Sequence, residues 1–190
     1  ELKKVWGYSL FHKDDLPFQG DISRMPDVFT PFKEKCERGS KVRPCFPAPG
    51  KNSLGSIPED LQAAARAALP TLKELGFSEQ EIARAEQPDP RGVMVFKGGE
   101  SAGLARIQEY IWDQDRLKEY FETRNGMIGA EYSSKFSPWL AHGCISPRAI
   151  YHECQRYERE RVKNKSTYWL VFELIWRDFM KFWCLKHGTA

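Results

Sequence analysis

The chain has 190 residues, 41% of them apolar and 29% charged, which is enough apolar content for a hydrophobic core and excludes a disordered chain. A net charge of +3 gives only a weak overall field, so a nucleic-acid partner would need a local basic patch. No apolar run is long enough to span a bilayer. The five cysteines (Cys36, Cys45, Cys144, Cys154, Cys184) are odd in number and lack the CxxC spacing of a zinc site, which fits a reducing intracellular compartment and no metal. The sequence starts at Glu1 with no charged-then-apolar leader, as expected of a processed chain or one cut from something longer.

Residues 1–60 are rich in proline and show no stable apolar period, so they read as an extended arm that wraps another body. Within them "TPFKEKCERG" predicts a short helix, with Thr30 as cap, Pro31 at the first position and Gly39 as stop. Short helices are also predicted over 59–69 and over 78–86, the latter with Ser78 and Glu81 as a capping box. "RGVMVFKGGE" reads as an extended, strand-like passage. From Ser101 the period becomes helical, with Leu104, Ile107, Ile111 and Trp112 on one face and Leu117, Tyr120 and Phe121 following. Ser146-Pro147 is a helix start, and the longest predicted helix runs from a Ser166 cap to Gly188.

Three constellations carry possible chemistry. On the last helix Trp169, Phe172, Glu173, Trp176, Phe179, Met180 and Trp183 recur at spacings of three and four, which puts a carboxylate inside an aromatic face. A buried carboxylate needs a partner, either Arg177 four residues on or a ligand. In "EYSSKFSPW" Ser137 caps a helix starting at Pro138, or else the hydroxyls of Ser133, Ser134 and Ser137 meet an anion such as a phosphate. Arg124, beside the Asn125-Gly126 turn, is either solvated or a phosphate clamp. The charged run "RYERERVKNK" reads as a solvated helix end.

Taken in order, "GGESAGLARIQEYIW", "YFETRNGMIGAEYSSKFSPWLAHGCISPR" and "STYWLVFELIWRDF" resemble the photolyase/cryptochrome family, with "TRNGMIG" and "STYW" pointing to its DASH-type members. "WGYSLFHKDDLPF" and "MPDVFTPFKEKCE" resemble the stretch by which such proteins pass from an α/β antenna domain to a helical flavin domain. The resemblance implies a mainly α fold, with residues 1–98 as an irregular arm and 99–190 as the N-terminal part of the helical FAD-binding domain. It implies that Ser133, Ser134, Lys135, Phe136 and Ser137 wrap the FAD diphosphate, that Tyr120 contacts the cofactor, and that Arg177 lies near the flavin. Arg124 would touch the DNA backbone, while Glu173 and Trp176 would face a cyclobutane pyrimidine dimer flipped out of single-stranded DNA. Ser133 stands where the family commonly has threonine, and His142 where it has a small residue.

The family's reaction is repair driven by blue light through the flavin. A folate-type antenna chromophore would require the α/β domain. Two readings follow: a fragment of a DASH-type photolyase, active in its full-length context, or a truncated, inactive relative serving as a structural or interaction subunit, with a partner protein covering the aromatic helix 166–187. A helical nucleic-acid-binding module without flavin is a third. The DASH resemblance is compatible with chloroplast, mitochondrion, nucleus or bacterial cytoplasm.

Overall fold

In the computed structural model, residues 2–3 and 5–188 are described, and helices are the only regular elements among them. Residues 1–45 and 96–190 form one unit and residues 46–95 another. The first part of the arm, residues 1–45, thus groups with 96–190 and not with 46–95.

The arm enters that unit through Leu10, Phe11, Leu16, Phe18 and Met25, all buried. It leads into α1 (Phe29–Gly39), whose Phe29, Phe32 and Cys36 face the core at helical spacing. Thr30 does not cap this helix: Val28 holds the cap position without a side-chain bond, and Pro31 lies in the first turn. Arg43 forks onto Asp15 at 2.6 and 2.8 Å, tying the end of the arm to its beginning.

In the unit 46–95, α2 (Gln62–Arg66) follows a 3-10 turn over Glu59–Leu61, and α3 (Glu79–Glu86) carries the capping box read from the sequence. The Ser78 hydroxyl accepts from the Glu81 amide at 3.3 Å, and the Glu81 carboxylate accepts from the Ser78 amide at 2.8 Å. The passage Arg91–Glu100 contains no strand.

The chain returns to the larger unit where the Trp139 indole donates to the Lys97 carbonyl at 2.8 Å. Then α4 (Glu100–Gln108) runs into a π-helical turn over Glu109–Asp113, in which Tyr110, Ile111 and Trp112 are all buried. Three consecutive buried side chains exceed what one stripe of an α-helix can inter, and the widened turn accommodates them. Leu104 does not join this face and is 46% exposed; Gly103 and Arg106 take the buried positions instead. A Cβ on Gly103 would come within 3.1 Å of the Trp139 ring, so a glycine is needed at this crossing.

Two short helices follow, α5 (Tyr120–Thr123) and α6 (Ser137–Ala141), then α7 (Pro147–Glu160) with Ser146 capping the Arg148 amide and Pro147 in the first position. The last, α8 (Lys165–His187), buries Leu170, Val171, Leu174, Ile175, Asp178, Phe179 and Phe182 against α1, α5 and α7. Its cap is Asn164, not Ser166: Asn164 and Thr167 exchange bonds at 3.0 and 3.1 Å. Ser166 is buried instead, accepting from the Phe121 amide and donating to Glu122, each at 3.0 Å.

The aromatic face of α8 is covered largely by the chain itself. Phe29 stacks on Trp176 with centroids 3.6 Å apart, Phe32 leans on Phe179 and Phe182, and Trp6 stacks on Phe182. An aromatic face awaiting a separate protein was the expectation. The arm takes up much of that face, and among the large apolar side chains of α8 Tyr168 near its start and Met180, Trp183 and Leu185 at its end stay exposed.

Candidate functional site

A cavity of about 380 Å³ is lined by Tyr120, Ser133, Ser134, Lys135, Phe136, Ser137, Glu173 and Arg177, with Leu140, Leu170 and Leu174 as its apolar wall. It joins α5, the loop before α6, and α8. Of the residues to which the family resemblance gave a cofactor or DNA contact, Trp176 and Arg124 lie outside this wall.

The loop owes its shape to a residue that sequence reasoning missed. Arg106, 3% exposed on α4, donates from Nε to the Ser134 carbonyl at 3.1 Å and from Nη2 to the carbonyls of Ala130 at 2.6 Å and Ser133 at 3.5 Å. Glu109 balances its charge at 3.0 Å. Between these pegs Ser133 and Lys135 adopt left-handed backbone, with φ of 122° and 59°. Such conformations cost a non-glycine residue of order 1–2 kcal/mol, and the buried guanidinium holds them in place. With the carbonyls drawn to Arg106, the amides of Ser134, Lys135 and Phe136 make no hydrogen bond among the described residues. The available signal was position: Arg106 shares a helical face with Gly103, Ile107 and Tyr110, where a charge has no reason to sit unless it has partners.

Ser137 does not cap a helix beginning at Pro138. It is the first residue of α6, Phe136 holds the cap position, and no side-chain capping bond forms, leaving Ser137 exposed. Phe136, 2% exposed, anchors the loop edge-on to Tyr110. On the opposite wall, burial pushes the Tyr120 phenol up, so it remains protonated and able to donate.

Glu173 is paired, but not with Arg177. Its Oε1 accepts from the Trp169 indole at 3.1 Å and stands 3.8 Å from Arg124 Nε. Arg177 turns away, donating to the Tyr8 carbonyl at 2.6 Å and the Leu140 carbonyl at 3.1 Å, with its guanidinium 3.8 Å from the Tyr8 ring centroid. The segment just after Tyr8 is held by the adjacent residue of α8, the fully buried Asp178, which accepts from the amides of Leu10 and Phe11 at 3.0 and 2.8 Å. Burial pushes the Asp178 carboxyl up to about 6 despite these two bonds and the nearby charges of Arg177 and Lys181. Trp176 has one ring face stacked on Phe29 and is half-buried.

A second, larger cavity of about 590 Å³ lies between the arm and α7–α8, but its polar groups are mostly engaged, as where Tyr168 donates to Glu37 at 2.7 Å. Its wall holds none of the loop hydroxyls.

The chain is 51% identical over 99% of its length to a chloroplastic/mitochondrial cryptochrome DASH of Ostreococcus tauri, and 50% identical over its whole length to cryptochrome DASH of Synechocystis. It belongs to the DASH-type cryptochrome family. A cryptochrome DASH of Arabidopsis thaliana is likewise 50% identical over the whole chain. The crystal structure of a Synechocystis cryptochrome superposes with a TM-score of 0.75 at 48% identity, over 97% of this chain and 35% of that one. The chain thus spans about a third of the length of the DASH cryptochromes it matches, and its helices correspond to their helical domain. Those relatives include both organellar and bacterial proteins. No family model matches the chain. No helix among the described residues is long and apolar enough to cross a membrane.

Proposed function

We propose that this chain supplies the phosphate side of an FAD site, and beside it part of a pocket for a pyrimidine dimer, for repair driven by blue light in the context of a full-length DASH cryptochrome. The observation that carries the reading is the Arg106-pegged loop, whose carbonyls are drawn to one side while three amides and three serine hydroxyls lie along a cavity wall with Lys135 and Arg177. Donors without internal acceptors beside cations suit a diphosphate. At about 380 Å³ the cavity is near the small end of ligand sites (~300–1,000 Å³), sized for part of a dinucleotide.

In this reading the amides of Ser134 to Phe136 and the serine hydroxyls hold the diphosphate oxygens, and Lys135 adds a mobile point charge. Arg177, fixed by Tyr8 and Leu140, keeps a positive charge at the cavity wall without forming an ion pair that would neutralise it. The protonated Tyr120 phenol donates toward the cofactor. Glu173, oriented by Trp169, presents a carboxylate to thymine edges, and Trp176 offers a base the ring face that Phe29 does not occupy. Flavin, when bound, supplies the light-driven electron, while the chain's groups bind, orient and exclude water.

The test is a titration of FAD fluorescence with this chain, alongside riboflavin, which lacks the diphosphate. Quenching of FAD that ADP competes away, with riboflavin bound at least tenfold more weakly, is the expected result. Equal binding of FAD and riboflavin, or of neither, overturns the assignment.

A further inference from the structure

Tyr8 adopts a backbone conformation that its own side chain disfavours. Its φ of 79° is left-handed, which is uncommon for a bulky residue, although Gly7 beside it could take such a turn freely. The ring is 48% exposed and so adds little to the core. What it covers is charge: the Arg177 guanidinium lies 3.8 Å and the Lys181 ammonium 4.6 Å from its centroid. Strain of this kind persists where surrounding contacts hold it, and here the Tyr8 carbonyl accepts from Arg177 at 2.6 Å.

Tyr8 belongs to a strap, residues 6–11, whose main chain is bonded to three charged side chains of α8. Arg177 donates to the Tyr8 carbonyl, Lys181 donates to the Gly7 carbonyl at 3.1 Å, and Asp178 accepts from the Leu10 and Phe11 amides. At the start of the strap Trp6 stacks on Phe182 and donates from its indole to the Ser9 hydroxyl at 2.8 Å. Of the three charged residues, Arg177 is the one that also lines the cavity. Its bonds to the Tyr8 and Leu140 carbonyls use two of a guanidinium's five donors and leave three for a ligand. One side chain thus both fastens the strap and faces the cavity.

We propose that Tyr8 is a positioning residue for the anion site, and that docking of the strap on α8 is coupled to occupancy of the cavity. The coupling rests on the diphosphate site proposed above and adds to it a control element outside the cavity wall. With the strap docked, Arg177 is held where a phosphate meets its free donors. With the strap lifted, the side chain regains its rotamers, and a ligand must order it again at a cost in affinity. Coupling between two sites is reciprocal, so a bound anion tightens the strap by the same factor.

The experiment measures ADP affinity by calorimetry, and hydrogen exchange at the Leu10 and Phe11 amides, for the unmodified chain and for Tyr8→Phe, Tyr8→Gly, Tyr8→Pro and Arg177→Met. Tyr8→Phe keeps the ring and is expected to bind as the unmodified chain does. Tyr8→Gly keeps the left-handed turn and loses the ring, for an expected loss of about threefold. Tyr8→Pro forbids the turn, because proline fixes φ near about −65°, and is expected to lose about tenfold. Neither loss is expected once Arg177 is replaced by Met. Saturating ADP is expected to slow exchange at Leu10 and Phe11 about fivefold in the unmodified chain and to leave it unchanged in Arg177→Met. If the unmodified chain does not bind ADP, the diphosphate reading falls and the coupling with it. If ADP binds, but equally well to Tyr8→Gly and without slowing exchange at Leu10 and Phe11, the coupling alone is overturned. Equal losses from Tyr8→Pro with and without Arg177 also overturn it, because the strap then acts on the fold and not through that side chain.

Discussion

Two helices of this chain begin with equally complete capping boxes and end in opposite circumstances. In α3, Ser78 and Glu81 satisfy each other's amides, yet no described residue between 46 and 95 is buried, and Leu54, Leu69, Leu72 and Phe77 stay exposed. In α8, Asn164 and Thr167 do the same, and seven residues behind them are buried. Local hydrogen bonding decides where a helix starts, but it contributes about 1 kcal/mol. Burial requires an apolar stripe that other segments can cover, and for α8 those segments include α1 and residues 6–11 of the arm. The candidate site follows the same division: the cavity wall and Arg106 lie in the unit with the core.

The sharpest way to break this comparison is to cut one side chain from each unit. Phe32→Ala, at a fully buried site between Phe179 and Phe182, is expected to cost about 3–5 kcal/mol in denaturant unfolding followed by tryptophan fluorescence, while Leu72→Ala stays within about 0.5 kcal/mol. Similar losses at both would abolish the distinction. Next in size is Asp178→Asn, which places an amide where two backbone N–H groups need acceptors and is expected to cost about 1–3 kcal/mol.

Asp178 also has a pH signature. Its carboxyl rises from an ordinary 3.8 to about 6 on folding, so the folded chain holds the proton more tightly than the unfolded chain. Its contribution is fully present below about pH 4 and is lost as pH rises through about 6. This downward slope is expected to be missing from urea unfolding of the Asn variant between those limits. Asp115 slopes the other way: burial would raise it, but bonds from Lys118, Tyr157 and Arg161 outweigh that and hold it down at about 2, so its contribution fades as pH falls toward that value. The smallest effect is Ser78→Ala, which is expected to cost α3 about 1 kcal/mol and to speed hydrogen exchange at its first-turn amides, with α8 amides unchanged.

The features legible in the sequence are those set by near neighbours. The Ser78–Glu81 box, the Ser146-Pro147 start and the Gly188 stop all depend on residues within a few positions. What escaped depends on distant partners. Ser166 looked like a cap, but its hydroxyl is taken by Phe121 and Glu122, and Asn164 with Thr167 caps instead. Arg177 is the obvious helical neighbour of Glu173, yet the Tyr8 and Leu140 carbonyls hold it, and Arg124 and Trp169 approach the carboxylate. Phe29 on Trp176 could not be foreseen because the arm's lack of period concealed how closely it packs on α8.

The central claim is that Arg106 presets the loop as a diphosphate cradle, and phosphorus NMR of ADP added to the chain tests it most directly. With Arg106 intact both phosphate resonances are expected to shift and broaden, and in Arg106→Met the shifts should fall by more than half while α8 keeps its hydrogen-exchange protection. Unshifted resonances with the intact chain, or equal shifts in a folded Arg106→Met, would contradict the account.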